Sequence, residues 1–315
     1  MLEGVLGMPI AILAVLGALA VASPARAIVV GIADQQAASF SDTRLTDLPV
    51  RHARLSVAWD ALQYGWQRRE VDAWMRATTA ARMNVVVTFG RSRTRPFSLP
   101  AIGDYRRSAQ RFMRRYRQVR EYSPWNEPNI AIQPRNYDPR RIVAYYRTLR
   151  SLCATCKVLG ADIVDNSRLG SWMRSYLRVF APGRTPRLWG LHNYVDVNSM
   201  SSWGTRTMLR VAPGEVWFTE TGAIISRAKP TKVDRADRRS RIRTGPLRAV
   251  AATKRVFELA RSSRRVSRVY IYHWRASRRE SWDSALVTAK GKLRPSFDVF
   301  AAEARIAHRR ASGLD

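Results

Sequence analysis

The sequence is short of the residues that metal and thiol chemistry draw on: its 315 positions hold two cysteines and four histidines. A structural zinc site takes four nitrogen or sulfur ligands, and a single Cys pair with scattered histidines makes that a poor reading. Lysine is also scarce. Six of the 55 cationic residues are Lys and 49 are Arg, and with 24 acidic residues the formal net charge is +31. There is no glycine-rich phosphate turn either, since the segment after the first apolar run of the body reads "GIADQQAAS". That argues against a doubly wound nucleotide-binding sheet. What the chain does carry is apolar and aromatic bulk, with 46% hydrophobic residues including ten Trp, eleven Tyr and nine Phe. This is far more than a disordered polymer contains, and the length suits one large domain or two ordinary ones.

A charge balance of this kind suits a polyanionic partner, whether nucleic acid, anionic lipid or acidic polysaccharide. The arginines are spread from Arg44 to Arg310 at spacings typical of solvated helix faces, as in "RRSAQRFMRRYRQVR". No RNA- or DNA-binding signature accompanies them. The expectation is a basic surface open to electrostatic attraction by an anionic polysaccharide or a cell surface, with no specific nucleic-acid partner.

The first 27 residues differ in kind. No charge occurs from Gly4 to Ala22, and Ala25-Arg26-Ala27 then fits an A-x-A cleavage site with Ile28 as the first mature residue. This reads as a secretory signal peptide over 1–27, placing the protein outside the cell or at its surface. The n-region Met-Leu-Glu lacks the usual cation, and an uncleaved anchor is the alternative, because the apolar run approaches the ~20 residues that span a bilayer. In an oxidising compartment Cys153 and Cys156 are candidates for a small-loop disulfide; free buried thiols are the other reading.

Beyond the leader, short runs rich in Val, Ile and aromatics alternate with longer amphipathic ones, the pattern of βα units around a parallel sheet. Strands are expected at Ile28–Ala33, Arg54–Trp59, Asn84–Phe89, Val119–Trp125, Lys157–Asp162, Arg187–His192, Glu215–Glu220 and Arg268–Trp274. Helices are expected at Arg68–Met83, Tyr105–Gln118, Pro139–Leu152, Ser167–Phe180 and Leu247–Ala260. Eight strands close a barrel, so the fold class is α/β, a single-domain (β/α)8 TIM barrel over 28–315. The strand ends are evenly spaced except before the eighth, where a long Arg-rich loop at about 225–246 intervenes.

In such barrels the chemistry lies at the C-terminal strand ends, which here carry Glu127 after the fourth strand and Glu220 at the end of the seventh. Glu127 sits in Ser123-Pro-Trp-Asn-Glu-Pro-Asn129, where two prolines restrict the backbone on either side of it. Two carboxylates across one bowl are what glycosidic bond cleavage needs. One protonates the leaving oxygen and the other attacks the anomeric carbon or activates water.

"WNEPN" with "WFTETG" resembles the clan of retaining (β/α)8 glycoside hydrolases that includes the family 5 cellulase-type and family 39 xylosidase-type enzymes. The resemblance implies Glu127 as acid/base, Glu220 as nucleophile and Asn126 on the sugar 2-hydroxyl. "LHNY" is similar to the clan's sixth strand and implies that Tyr194 bonds the nucleophile while His192 lines the pocket. "YIYHW" implies Trp274 as the sugar platform, and "ARLSVAWDAL" places Arg54 near the nucleophile and Trp59 on the wall. Trp125, Trp203 and Trp282 are further candidate walls. At the third strand end, Phe89-Gly90-Arg91 stands where the cellulase-type enzymes present a histidine, so the xylosidase-type side or an unclassified relative is the nearer likeness. Asp34, Asp60, Asp162 and Asp165 read as loop-capping aspartates.

The expected function is hydrolysis of a β-linked oligo- or polysaccharide by a monomer, with no metal or organic cofactor. The alternatives are a non-catalytic carbohydrate-binding barrel and a basic polyanion-binding surface protein.

Overall fold

The computed structural model describes residues 27–130, 138–227, 243–277 and 281–314. The expected leader 1–27, apart from Ala27, and most of the expected Arg-rich loop lie outside the described residues. Nine parallel segments form one curled sheet: β1 (Val29–Ala33), β2 (His52–Ala58), β3 (Asn84–Gly90), β4 (Glu121–Ser123), β5 (Lys157–Val158), β6 (Asp162–Val164), β7 (Leu188–His192), β8 (Glu215–Thr221) and, after a short β9 (Ser226–Arg227), β10 (Val266–Tyr272). Their order is β5-β4-β3-β2-β1-β10-β8-β7-β6. A separate antiparallel ladder joins β9 to β11 (Trp282–Asp283).

The strand expected at Lys157–Asp162 is therefore two short segments, which corrects the count of eight. Between them the Leu159 amide donates to Tyr122 and the Gly160 amide to Leu188, so this stretch bonds to β4 on one side and β7 on the other. Those two segments are the ends of the strand order, and the sheet curls far enough to bring them together. The other expected strands and helices are present, the helix Pro139–Leu152 with the expected ends and the rest with shifted ones: the helix expected at Arg68–Met83 runs Gly65–Ala80, and that at Ser167–Phe180 runs Leu169–Leu177. Sequence patterning missed the helices Trp203–Val211 and Pro295–Ala311.

Side chains alternate across each strand. Outward residues such as Val57, Phe89 and Val269 pack on the helices in one large core, while Ala33, Val86, Leu159, Trp217 and Tyr270 form a small separate cluster inside the curl. Below it Arg268 lies 3.8 Å from the Trp217 ring centroid and donates twice to Glu121, at 2.6 and 2.9 Å. The interior is thus filled by side chains at its lower end, leaving the upper end for a site. Cys153 and Cys156, just after the helix Pro139–Leu152, are joined by a disulfide. Among the described residues no helix is long and apolar enough to cross a membrane.

Candidate active site

Alternation on β2 decides which of its side chains enter the interior. Arg54 has the inward parity and is completely buried; Trp59, in the turn just past the strand, packs in the helix-facing core. β2 ends at Ala58, and the burial of Trp59 in the core corrects its expected wall role. Arg54 is the hub of the site. Its Nη1 donates to Glu220 Oε2 at 2.7 Å, its Nη2 to Asn126 Oδ1 at 2.6 Å and Asp162 Oδ2 at 2.7 Å, and its Nε to Thr88 Oγ1 at 3.2 Å. Burial opposes the guanidinium's charge, but Asp162 and Glu220 outweigh that and hold it more basic than a free arginine.

Asp162, which the sequence suggests as a loop-capping aspartate, is instead a partner of Arg54. It is fully buried and also accepts from the Thr88 hydroxyl at 2.7 Å. Burial works against its charge, yet Arg54 and His192 hold it below the usual carboxylate range. A Cβ at Gly190 would collide with its carboxylate, so the glycine keeps the space open. Asp34, Asp60 and Asp165 do fix loops: Asp34 accepts from the Gln36 and Trp274 amides, Asp60 from the Ser92 hydroxyl, and Asp165 from the amides of Val195 and Asp196.

Glu220 reaches the interior through a bulge. On β7, Gly190 faces Trp217 and His192 faces Glu220; on β10, Val269 faces Phe218 and Ile271 faces Thr221. Both neighbours thus span two residues where β8 spans three, and the extra residue turns Glu220 to the side of His192. Tyr194 donates from its hydroxyl to Glu220 Oε1 at 3.2 Å, and burial together with Glu220 raises that hydroxyl well above its ordinary pKa.

Glu127 leaves β4 in a left-handed conformation, φ 52°, with its amide donating to the Asp162 carbonyl at 2.9 Å. His192 Nδ1 lies 2.8 Å from Glu127 Oε1, and its Nε2 lies 3.3 Å from Arg54 Nη2. Burial disfavours a charged imidazole here, but Glu220, Asp162 and Glu127 overcome it and raise His192 to about 9. One ligand atom from each of Glu127, His192 and Glu220 lies within 4.8 Å of the others. A cation there would compete with the Arg54 guanidinium already on Glu220 and with a protonated imidazole. The donor set suits hydrogen bonding to a substrate better than metal binding.

The structure brings Glu127, Glu220, Asn126, Arg54, His192 and Tyr194 together and keeps Trp274 and Trp125 away. Trp274 lies two residues beyond the end of β10, is completely buried, donates its indole N–H to Asp42 Oδ2 at 2.9 Å and packs edge-on against Phe297. Trp125 is buried against Tyr145 on the helix side. The aromatics that do reach the site are Tyr272, which shares a cavity wall with Glu220, and Trp282, edge-on to Tyr194 with 4.9 Å between centroids.

No family profile and no curated protein matches the chain. Solved structures do. A family 39 glycoside hydrolase from Bacteroides cellulosilyticus superposes with TM-score 0.59 at 13% identity over 89% of this chain, which spans 64% of that chain's length. A glucosidase from Croceicoccus marinus gives TM-score 0.62 at 12% identity over 90% of this chain and 68% of its own. A GH5_18 protein from Bifidobacterium longum in complex with Manb1-4GlcNAc gives 0.61 at 11% identity, over 91% and 79%. The chain therefore has the α/β fold of glycoside hydrolases of the clan that its Trp-Asn-Glu and Thr-Glu-Thr-Gly segments resemble.

Proposed function

We propose that this chain is a glycoside hydrolase that cleaves β-linked glycosides with retention, on a (β/α)8 barrel closed through residues 157–164. The observation that carries the reading is that one carboxylate oxygen of Glu127 and one of Glu220 lie within 4.8 Å of each other at the C-terminal end of the sheet. Retaining enzymes hold their carboxyl groups about 5–5.5 Å apart, whereas inversion needs roughly 6.5–9.5 Å to admit water between them. The short separation supports a covalent glycosyl intermediate.

Each role follows from its hydrogen bonds. Glu220, fixed by Arg54 and Tyr194, forms the bond to the anomeric carbon as the bond to the leaving oxygen breaks. Glu127 delivers the proton to that oxygen and later takes one from the water that releases the sugar. His192 orients the Glu127 carboxyl. Asn126 spends its carbonyl oxygen on Arg54, so its two N–H donors remain for a sugar hydroxyl. The apolar leader and the disulfide fit an exported enzyme, and the sugar-bound neighbour fits a carbohydrate substrate.

The test is hydrolysis of a panel of aryl β-glycosides with covalent trapping by 2-fluoro-glycosides. Labelling at Glu220, product of retained configuration, and loss of turnover in Glu127→Ala and Glu220→Ala are expected. Turnover that survives Glu220→Ala overturns the mechanism, and an inverted product overturns retention.

A further inference from the structure

A cavity of about 480 Å³ opens beside the carboxylate pair, bordered by Glu220, Asn126 and Tyr272 on one side and by Gln67, Glu70 and Arg93 on the other. The chemistry assigned to Glu127 and Glu220 uses only its inner wall. Two features of the outer wall lie beyond that chemistry. Gln67, in the first turn of the helix Gly65–Ala80, is 2% exposed, and its Nε2 has no hydrogen-bond partner among the described residues. A buried amide donor without a partner is costly, and a ligand in the cavity it borders would relieve that cost.

Arg93 is the second feature. It follows β3 in the loop where Phe89-Gly90-Arg91 takes the place of a histidine-bearing strand end. Its Nη1 rests on Glu70 Oε2 at 2.5 Å, and its guanidinium lies 4.3 Å from the Trp66 ring centroid. Pair and stack fix the plane of the fork, while its other N–H groups face solvent at 54% side-chain exposure. Two positions on, Arg95 is held 5.8 Å over Trp59 and 3.6 Å from Asp60. A rigid, planar, half-exposed guanidinium at a pocket rim matches a carboxylate in two-point geometry.

We infer that this cavity is a subsite for the sugar next to the cleaved bond, and that it selects a uronic acid, whose carboxylate Arg93 receives while Gln67 donates to a ring hydroxyl. The inference rests on the glycosidase reading above. Glu70 competes with the ligand for Arg93 and so tempers the affinity. The high arginine content of the chain would then draw an acidic polysaccharide toward the mouth, and Arg93 would read it there.

The experiment compares β-linked glucuronate- and mannuronate-containing oligosaccharides in native and carboxyl-reduced forms. With wild-type protein, kcat/KM is expected to favour one native form at least tenfold, mainly through KM, and the preference should shrink with added salt. Arg93→Ala should bring the ratio to about one, and Glu70→Gln should raise it. A wild-type ratio near one for both sugars, or a preference that survives Arg93→Ala, overturns the inference. Absence of turnover on any glycoside removes the glycosidase reading instead. In that event calorimetry on Glu220→Ala protein decides the subsite: tenfold tighter binding of a native form, lost on adding Arg93→Ala, upholds it, and equal affinities overturn it.

Discussion

Arg54 Nη1 lies 2.7 Å from Glu220 Oε2 across 166 positions of sequence, and the same guanidinium is 2.7 Å from buried Asp162. One cation therefore fixes the Glu220 carboxylate from below and neutralises a second carboxylate that water does not reach. Removing it leaves the Asp162 carboxylate with only the Thr88 hydroxyl and His192 beside it. Arg54→Met is expected to cost about 3–5 kcal/mol in urea unfolding, the usual penalty for breaking a buried pair from one side. Arg54→Met with Asp162→Asn should recover more than half of that without restoring turnover. Equal stability of the single and double variants would contradict the pairing.

The histidines set opposite pH limits on stability. Burial, aided for His52 by the Arg268 guanidinium, lowers His52 and His273 to about 4. An unfolded chain takes up those protons near pH 6.5 and the folded one does not, so stability falls as pH drops from 6.5 toward 4. His192 is raised to about 9, so its contribution is complete below 6.5 and is lost as pH rises through 9. Urea midpoints measured from pH 4 to pH 9 should pass through a maximum near 6.5. His273→Gln should flatten the acid side, by on the order of 3 kcal/mol at full effect, and His192→Asn should flatten the alkaline side.

Trp274 and Trp282 separate packing from binding. Trp274→Ala empties a fully buried position and is expected to cost about 3–5 kcal/mol in unfolding free energy. Trp282→Ala, at the half-buried ring beside Tyr194, should leave stability nearly intact and raise KM by roughly an order of magnitude, about 1.4 kcal/mol of binding. Equal KM values for wild type and Trp282→Ala would remove it from the sugar site.

The Cys153–Cys156 bridge closes a very short loop, with a sequence separation of three. Loop-closure entropy for so few residues is small, about 2 kcal/mol. Dithiothreitol should lower the urea midpoint by no more than that amount and leave the site unaffected. A loss of activity on reduction would show that the bridge does more than tether the helix end.

Much of this residue cluster was legible because the chemistry proposed for it needs particular residue types at strand ends. Glu127, Asn126, His192, Tyr194 and Glu220 could be placed from the motifs they stand in. Four things were not legible, each for a physical reason. The end of a strand is invisible in its sequence, so nothing local shows that β2 stops at Ala58 and that Trp59, just past it, turns into the core while Arg54 points inward. Strand length misled at Trp274, where β10 stops at Tyr272 and the chain turns the indole into the core. Asp162 looked like any capping aspartate, because nothing local announces that its partner is an arginine 108 positions away. The bulge that aims Glu220 is a mismatch with neighbouring strands, and a single strand's sequence does not contain it.

Glu127 occupies the left-handed region at φ 52°, where a side chain with a Cβ is strained by about 1–2 kcal/mol and glycine is not. The fold and the reaction therefore make opposite demands on position 127. Glu127→Gly should unfold at higher urea than the wild type while being inert, so a screen for thermostability alone would drift toward a better folded protein that had discarded its proposed acid.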